Sequence, residues 1–177
     1  MHTIQYIATK ANDVEQAHKT VRNYLENNLN GEFGSDVWYD WFVTGGGRWA
    51  SGEDNQYNDN YTGDVVHQDS SKFQECLDRA HKNRVATTRA ELEHASKVNI
   101  DEVLSSIKEN HTGLSPMYGE ATKLYPFYCL YKQVSGYWGP DSYFFDIEND
   151  STNSSYMQEA IKQGDKTWHL VPVDFHY

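Results

Sequence analysis

The sequence has little of what stabilises secreted proteins or anchors membrane proteins. Only 2 of its 177 residues are cysteines, Cys76 and Cys129, so a disulfide framework is excluded. No apolar run approaches the length that spans a bilayer, and the first residues lack the basic segment and apolar stretch of a signal peptide. We therefore expect a cytoplasmic protein with two reduced thiols.

Basic residues are also scarce. The chain has 15 Lys and Arg against 26 Asp and Glu, a formal charge of -11. A surface of this sign repels phosphate backbones and anionic lipids, which argues against direct binding of nucleic acid or membranes. The same field attracts a basic protein surface, including one that normally holds nucleic acid. Solubility alone is the simpler explanation of such a charge, so the charge permits a basic partner without requiring one.

Spacings typical of metal sites are missing as well. The eight histidines show no His-x-x-x-His spacing and the two cysteines no Cys-x-x-Cys spacing. The carboxylates between Glu53 and Asp64 lack the periodic pattern of an EF-hand loop. We predict no metal site and no cofactor.

The periodicities that are present predict an α+β fold. Period-2 and apolar runs predict five strands, at 2–9, 37–43, 126–134, 142–147 and 167–177. A helix follows Asn12 or Asp13 and ends at Asn30-Gly31, and a last helix begins after Ser154 or Ser155 and ends at Gly164. The third and fourth strands would form a hairpin. The order predicts an antiparallel sheet of about five strands with helices on one face, a split βαβ or ferredoxin-like arrangement.

The middle of the chain differs in composition from both ends. Residues 44–71 are rich in Gly, Asp, Asn and Ser and predict a long polar loop. Residues 72–110 predict a helical insert, with a short helix over 73–80 and a second helix that opens at Thr88 and breaks at Asn99. Without a linker or a repeat, 1–177 should form a single domain.

The most unusual segment runs from Asp40 to Trp49. An aromatic strand leads into Gly45–Gly47, and Arg48 follows beside Trp49. Three successive glycines are expected where φ is positive or where another group approaches the backbone closely. Their N–H groups and the Arg48 guanidinium could hold an anion. In the competing interpretation, which we favour, the glycines make a tight turn and Arg48 pairs with Asp40 or another carboxylate as a structural brace.

The last strand contains a second candidate site. Side chains alternate along a strand, so Asp174 and His176 share one face. A carboxylate beside an imidazole orients a general base or acid, and it is also how a sheet satisfies a half-buried histidine. Because no nucleophile is recognisable, we favour the structural interpretation.

Both segments resemble a family of small uncharacterised proteins, spread among bacteriophages and some bacteria, with an early Asp-Trp-Tyr-x-x-Gly-Gly-Arg-Trp motif and a late Val-Asp-x-His ending. The matching stretches are 40–42, 46–49 and 173–176, together with 126–128 ahead of Trp138-Gly139. Gly45 is additional to the motif, and Phe42 replaces its tyrosine. The resemblance implies a common fold and the convergence of several side chains, without an assigned activity. These side chains are Asp40, Arg48, Trp49, Asp174 and His176.

Two functions follow as hypotheses. The first is a phage-type accessory protein that binds a host protein in the host cytoplasm, such as a defence or nucleic-acid-handling protein, and inhibits it. The second is a small-anion or nucleotide-binding protein, or a hydrolase. Its ligand-binding candidates are Asp40, Gly46, Gly47, Arg48 and Trp49, and its catalytic candidates are Asp174 and His176. Because no complete catalytic set is recognisable, we expect binding rather than catalysis.

Overall fold

The computed structural model describes residues 1–31, 37–109 and 120–177, which fold into two compact units. The first comprises Met1–Arg84 with Trp138–Tyr177, and the second Val85–Tyr137. In chain order the elements are β1 (His2–Lys10), α1 (Val14–Leu29), β2 (Trp41–Thr44), β3 (Val66–His67), α2 (Ser71–Ser96), α3 (Ile100–Glu109), α4 (Glu120–Val134), β4 (Phe144–Asp146), α5 (Ser155–Lys162) and β5 (Trp168–His176). Within the described ranges, no helix combines the length and the apolar character needed to cross a membrane.

The sheet of the first unit is mixed, in the order β2-β5-β1-β4, and β3 pairs with β5. The long strands β1 and β5 are antiparallel over their whole length, from His2 opposite His176 to Lys10 opposite Trp168. β2 is also antiparallel to β5, whereas β4 is parallel to β1. The α+β class is confirmed, but the fully antiparallel sheet is wrong and the ferredoxin-like arrangement is not confirmed. The expected hairpin does not form, so β4 pairs with β1 instead.

Helices cover both faces of this sheet, not one face as predicted. Alternation along β5 separates the two faces: Val171, Val173 and Phe175 join the core beneath α1, and Trp168 and Leu170 join the core beneath α5 and the first turns of α2. Both cores need a helical cover because both sets of strand residues are apolar. At the other end of the second face, β5 carries Asp174 and His176.

The run from Pro126 to Val134, predicted as a strand, forms most of α4 in the second unit. A short apolar run does not by itself distinguish a strand from a helix. Here the burial largely repeats with helical spacing. Pro126, Cys129, Leu130 and Gln133 are half-buried, as is Lys132, whereas the aromatic residues Phe127, Tyr128 and Tyr131 are exposed. The helix also contains Pro126, a residue that is uncommon inside helices.

Other boundaries are partly as predicted. The Asp13 carboxylate caps α1 by accepting a hydrogen bond from the Gln16 N–H at 2.7 Å. The two helices expected around Thr88 are one continuous helix, α2, and Asn99 accepts from the Asp101 N–H at the start of α3. β2 begins at Trp41, four residues later than predicted. The polar loop 44–71 contains 3₁₀ turns at Gly47–Trp49 and Glu53–Asn55 as well as β3.

Candidate functional site

The Asp174 carboxylate is the centre of the candidate site and is fully buried. It lies on β5, opposite Ile4 of β1 and Val43 of β2. One carboxylate oxygen is 2.9 Å from His2 Nδ1. The other accepts a hydrogen bond from the Arg48 backbone N–H at 3.2 Å. Asp174 therefore links the first strand, the last strand and the turn that follows β2.

All three glycines of the tract have positive φ, and two of them touch other parts of the chain. At Gly45, with φ +80°, a Cβ atom would lie 2.1 Å from the backbone carbonyl oxygen of Tyr61. At Gly47, with φ +52°, it would lie 2.3 Å from Asp174 Cβ and 2.6 Å from the carboxylate. The sequence needs glycine here because the backbone must pack this closely. The group that approaches the backbone at Gly47 is thus the chain's own Asp174 carboxylate.

Asp59 binds Thr44, the residue that precedes the three glycines. It accepts from the Thr44 N–H at 3.0 Å and from the Thr44 hydroxyl at 2.9 Å, and its second oxygen is 2.9 Å from an Arg22 nitrogen. The turn is closed by a hydrogen bond from the Trp49 N–H to the Gly46 carbonyl at 2.9 Å. Contacts at both ends thus fix the backbone that carries Arg48 and Trp49.

His176 forms a second polar pair, with Asp40, at the end of β5. Its Nδ1 lies 2.6 Å from an Asp40 carboxylate oxygen, and this hydrogen bond lowers the pKa of Asp40. Trp41 stacks on the imidazole, with ring centroids 5.1 Å apart and planes 9° apart. The His2 ring meets His176 edge-on at 4.8 Å and so connects this pair with the Asp174 network.

We expect the Asp40 carboxyl to titrate below the ordinary range for aspartate in the wild-type protein, measured by carboxyl ¹³C NMR. A hydrogen bond to the charged form favours ionisation, so the pair is lost as pH falls through the lowered pKa of Asp40. The variant His176→Phe keeps a ring against Trp41 but removes the hydrogen bond to Asp40. It should therefore raise the pKa of Asp40 back toward the ordinary range for aspartate. Asp165 is the reference, because Lys10 and Thr167 lower its pKa to about 2. The pKa of Asp165 should be the same in the wild-type protein and in His176→Phe. An identical Asp40 titration in both proteins would contradict the pairing.

The Arg48 and Trp49 side chains project to the surface. Arg48 is 39% exposed, and its Nε lies 3.7 Å from Asp174, beyond hydrogen-bonding distance. The guanidinium instead lies over the Trp49 ring, 5.6 Å from its centroid. Trp41 and Trp49 are both counted among the exposed large side chains. Arg48 is thus attached to Asp174 chiefly by its backbone amide, which leaves its side chain available.

The structure brings the predicted candidates into one connected group. Asp40 contacts His176, and Arg48 contacts both Asp174 and Trp49. Asp174 and His176 share a face, as alternation predicts, and His2 bridges them. Gly46 and Gly47 form the turn itself.

Sequence reasoning missed three contributors to this group: His2, Trp41 and Asp59. His2 and Trp41 both lie opposite His176 in the register of the sheet. Their roles can be recognised only when β5 is known to pair with β1 and β2, and local periodicity does not predict this pairing. Asp59 lies in the polar loop, where one carboxylate among several carries no distinguishing signal.

Comparison of the chain with protein-family models, with curated proteins and with solved structures finds no significant match. The resemblance of the early and late motifs therefore stays a prediction, and the site has to be interpreted from its own chemistry.

Proposed function

We propose that the protein acts by binding a basic partner protein through the surface formed by Asp40, Trp41, Arg48 and Trp49, here called the Trp49 surface. The observation that carries the proposal is the exposure of two indoles and a guanidinium on a backbone fixed from below by buried Asp174. Tryptophan and arginine dominate binding energy at protein interfaces. A backbone that is already ordered loses little entropy when it binds, so more of the contact energy becomes affinity.

Charge supports a basic partner. The first unit contains 10 Lys and Arg and 20 Asp and Glu, whereas the second contains five and six. Nearly all of the acidic excess therefore belongs to the unit that carries the Trp49 surface. Such a field accelerates encounter with a positively charged protein and disfavours acidic competitors.

The phage setting that the motif resemblance implies narrows the class of partner. A phage-encoded accessory protein in the host cytoplasm would meet host defence and nucleic-acid-handling proteins, whose functional surfaces are commonly basic. An acidic domain that covers such a surface would compete with the nucleic acid. Inhibition by occupancy requires no chemistry from His176 or Asp174.

We expect the double variant Arg48→Ala/Trp49→Ala to lose at least about tenfold in affinity for the partner, because each truncated anchor of this kind costs about 1–2 kcal/mol. The partner is first captured from lysate of the natural host by the wild-type protein, then purified and titrated by calorimetry. Tyr156→Ala removes an even more exposed aromatic ring, 65% against 44% for Trp49, from α5 of the same unit and is the control. The absence of a saturable partner, or equal affinities of the double variant and the control, would contradict the proposal.

A small anionic ligand is the second candidate, and the incomplete pairing of Arg48 favours it. A guanidinium 3.7 Å from its carboxylate retains donors for phosphate, and the His176 imidazole is oriented by Asp40. Calorimetric titration with inorganic phosphate and with nucleoside triphosphates tests this candidate. Saturable binding that Arg48→Ala abolishes would support it, and no heat at millimolar ligand would exclude it.

A further inference from the structure

The second unit, Val85–Tyr137, exposes far more apolar surface than its size explains. It holds under a third of the chain but ten of the 17 exposed large apolar side chains found among the described residues. Four of them, Phe127, Tyr128, Tyr131 and Val134, lie on the outer side of α4, here called the α4 face. Exposed apolar patches of this density mark interaction sites on soluble proteins.

The helical spacing of α4 explains why these residues are outside. Pro126, Cys129, Leu130 and Gln133 are half-buried, and α3 packs against α4. A helix with apolar residues on both sides can bury only one of them within a small unit. Leu92 of α2 and Ile100 and Leu104 of α3 are exposed as well.

Charge separates this unit from the rest of the chain and indicates its partner. Residues 85–137 carry five basic and six acidic residues, a formal charge of -1, while the remaining residues carry -10. Two copies of the first unit repel each other. The second unit can face its own copy almost without repulsion, and a strongly basic partner would gain little from it.

The α4 face alone is smaller than a standard interface. The four side chains of the α4 face, exposed by 43% to 68%, offer on the order of 400 Å². A standard interface buries about 800 Å² on each partner, so the dimer contact must extend from the α4 face to some of the exposed side chains of α2 and α3.

We infer that the protein forms a two-fold symmetric dimer through the α4 face, which packs against the same face of a second copy. In an isologous contact the same exposed rings are buried on both copies, and the contact closes at two chains, so no larger assembly forms. The inference goes beyond the proposed function, since it concerns another unit and another partner. A dimer would present two Trp49 surfaces, and a partner with two sites would be held with higher avidity.

Sedimentation equilibrium of the full chain tests the inference. The wild-type protein should show a reversible transition from 20.4 kDa to twice that mass as concentration rises. Tyr131→Glu places a charge at the centre of the α4 face and should weaken dimerisation at least about tenfold. The matched control is Tyr156→Glu, because Tyr156 is 65% exposed and Tyr131 64%, and Tyr156 lies in the first unit. It should dimerise like the wild type.

Three outcomes overturn the inference: a wild-type protein that stays at 20.4 kDa at about 100 µM, assemblies larger than two chains, or equal weakening by both substitutions. Circular dichroism must show that Tyr131→Glu keeps its helices. If it does not, Val134→Lys replaces it, because Val134 is also exposed and lysine is a good helix former.

The dependence on salt concentration distinguishes dimerisation through the α4 face from binding of a basic partner at the Trp49 surface. Raising NaCl from about 0.1 M to about 1 M shortens the screening length from about 10 Å to about 3 Å. It thereby suppresses the repulsion between the acidic first units of the two copies. Dimerisation should therefore strengthen, whereas binding of a basic protein at the Trp49 surface should weaken. A dimer that dissociates with salt would contradict the apolar α4 contact and leave the proposed function unaffected.

Discussion

Replacing Gly45 with alanine is expected to destabilise the first unit by about 3 kcal/mol. Two costs combine. An alanine at φ +80° costs about 1–2 kcal/mol, and its Cβ would meet the Tyr61 carbonyl oxygen at 2.1 Å. Because that oxygen belongs to the backbone, relief requires a shift of the loop, which adds about 1–3 kcal/mol. Urea denaturation followed by tryptophan fluorescence measures the loss.

Gly164→Ala is the matched control for Gly45→Ala. Gly164 also has positive φ, +101°, but an added Cβ would meet no atom within 4 Å. It should therefore cost only the conformational term, about 1 kcal/mol. Equal losses for the two variants would mean that the loop around Tyr61 does not pack against Gly45 in solution.

Asp174→Ala is expected to have an effect of similar size, about 3 kcal/mol, for a different reason. The carboxylate is fully buried and satisfies the Arg48 N–H and His2 Nδ1. Its removal leaves these groups without an acceptor and opens a cavity beneath Gly47. Urea denaturation again measures the change, and Asp174→Asn should lie between alanine and the wild type because its amide oxygen can still accept from Arg48. A loss below about 1 kcal/mol for Asp174→Ala would contradict the role of the carboxylate as the anchor of the turn.

The outer elements of the fold and the helical character of residues 72–109 could be predicted from sequence, whereas the run from Pro126 to Val134 could not. β1, α1, α5 and β5 each have a clear period or a cap, such as Asp13, and lie where expected. Pro126–Val134 is a short apolar run without a period of its own, so tertiary packing against α3 decides that it is helical. That one element also determines the sheet. Once it is not a strand, β4 has no hairpin partner and pairs with β1 in parallel.

Most residues of the candidate site could be predicted from the sequence, but the contacts between them could not. Three glycines beside Arg48 indicate that some group approaches the backbone, and the sequence cannot say which. The approaching group is the chain's own Asp174 at Gly47 and the Tyr61 carbonyl at Gly45. The contact with Asp174 joins residues distant in sequence and depends on the pairing of β2 with β5, while the contact with Tyr61 depends on the path of the polar loop. Neither follows from local propensity.

The Arg48 backbone and the Arg48 side chain have different roles in the fold. The backbone amide braces the turn by its hydrogen bond to Asp174, while the guanidinium, 3.7 Å from the carboxylate, is beyond hydrogen-bonding distance. The most direct test is the free energy of unfolding of Arg48→Ala, which keeps the amide and removes the guanidinium. We expect Arg48→Ala to lower the free energy of unfolding by no more than about 0.5 kcal/mol, as for a half-exposed ion pair. A loss of about 3 kcal/mol, equal to that expected of Asp174→Ala, would show instead that the guanidinium is a structural brace.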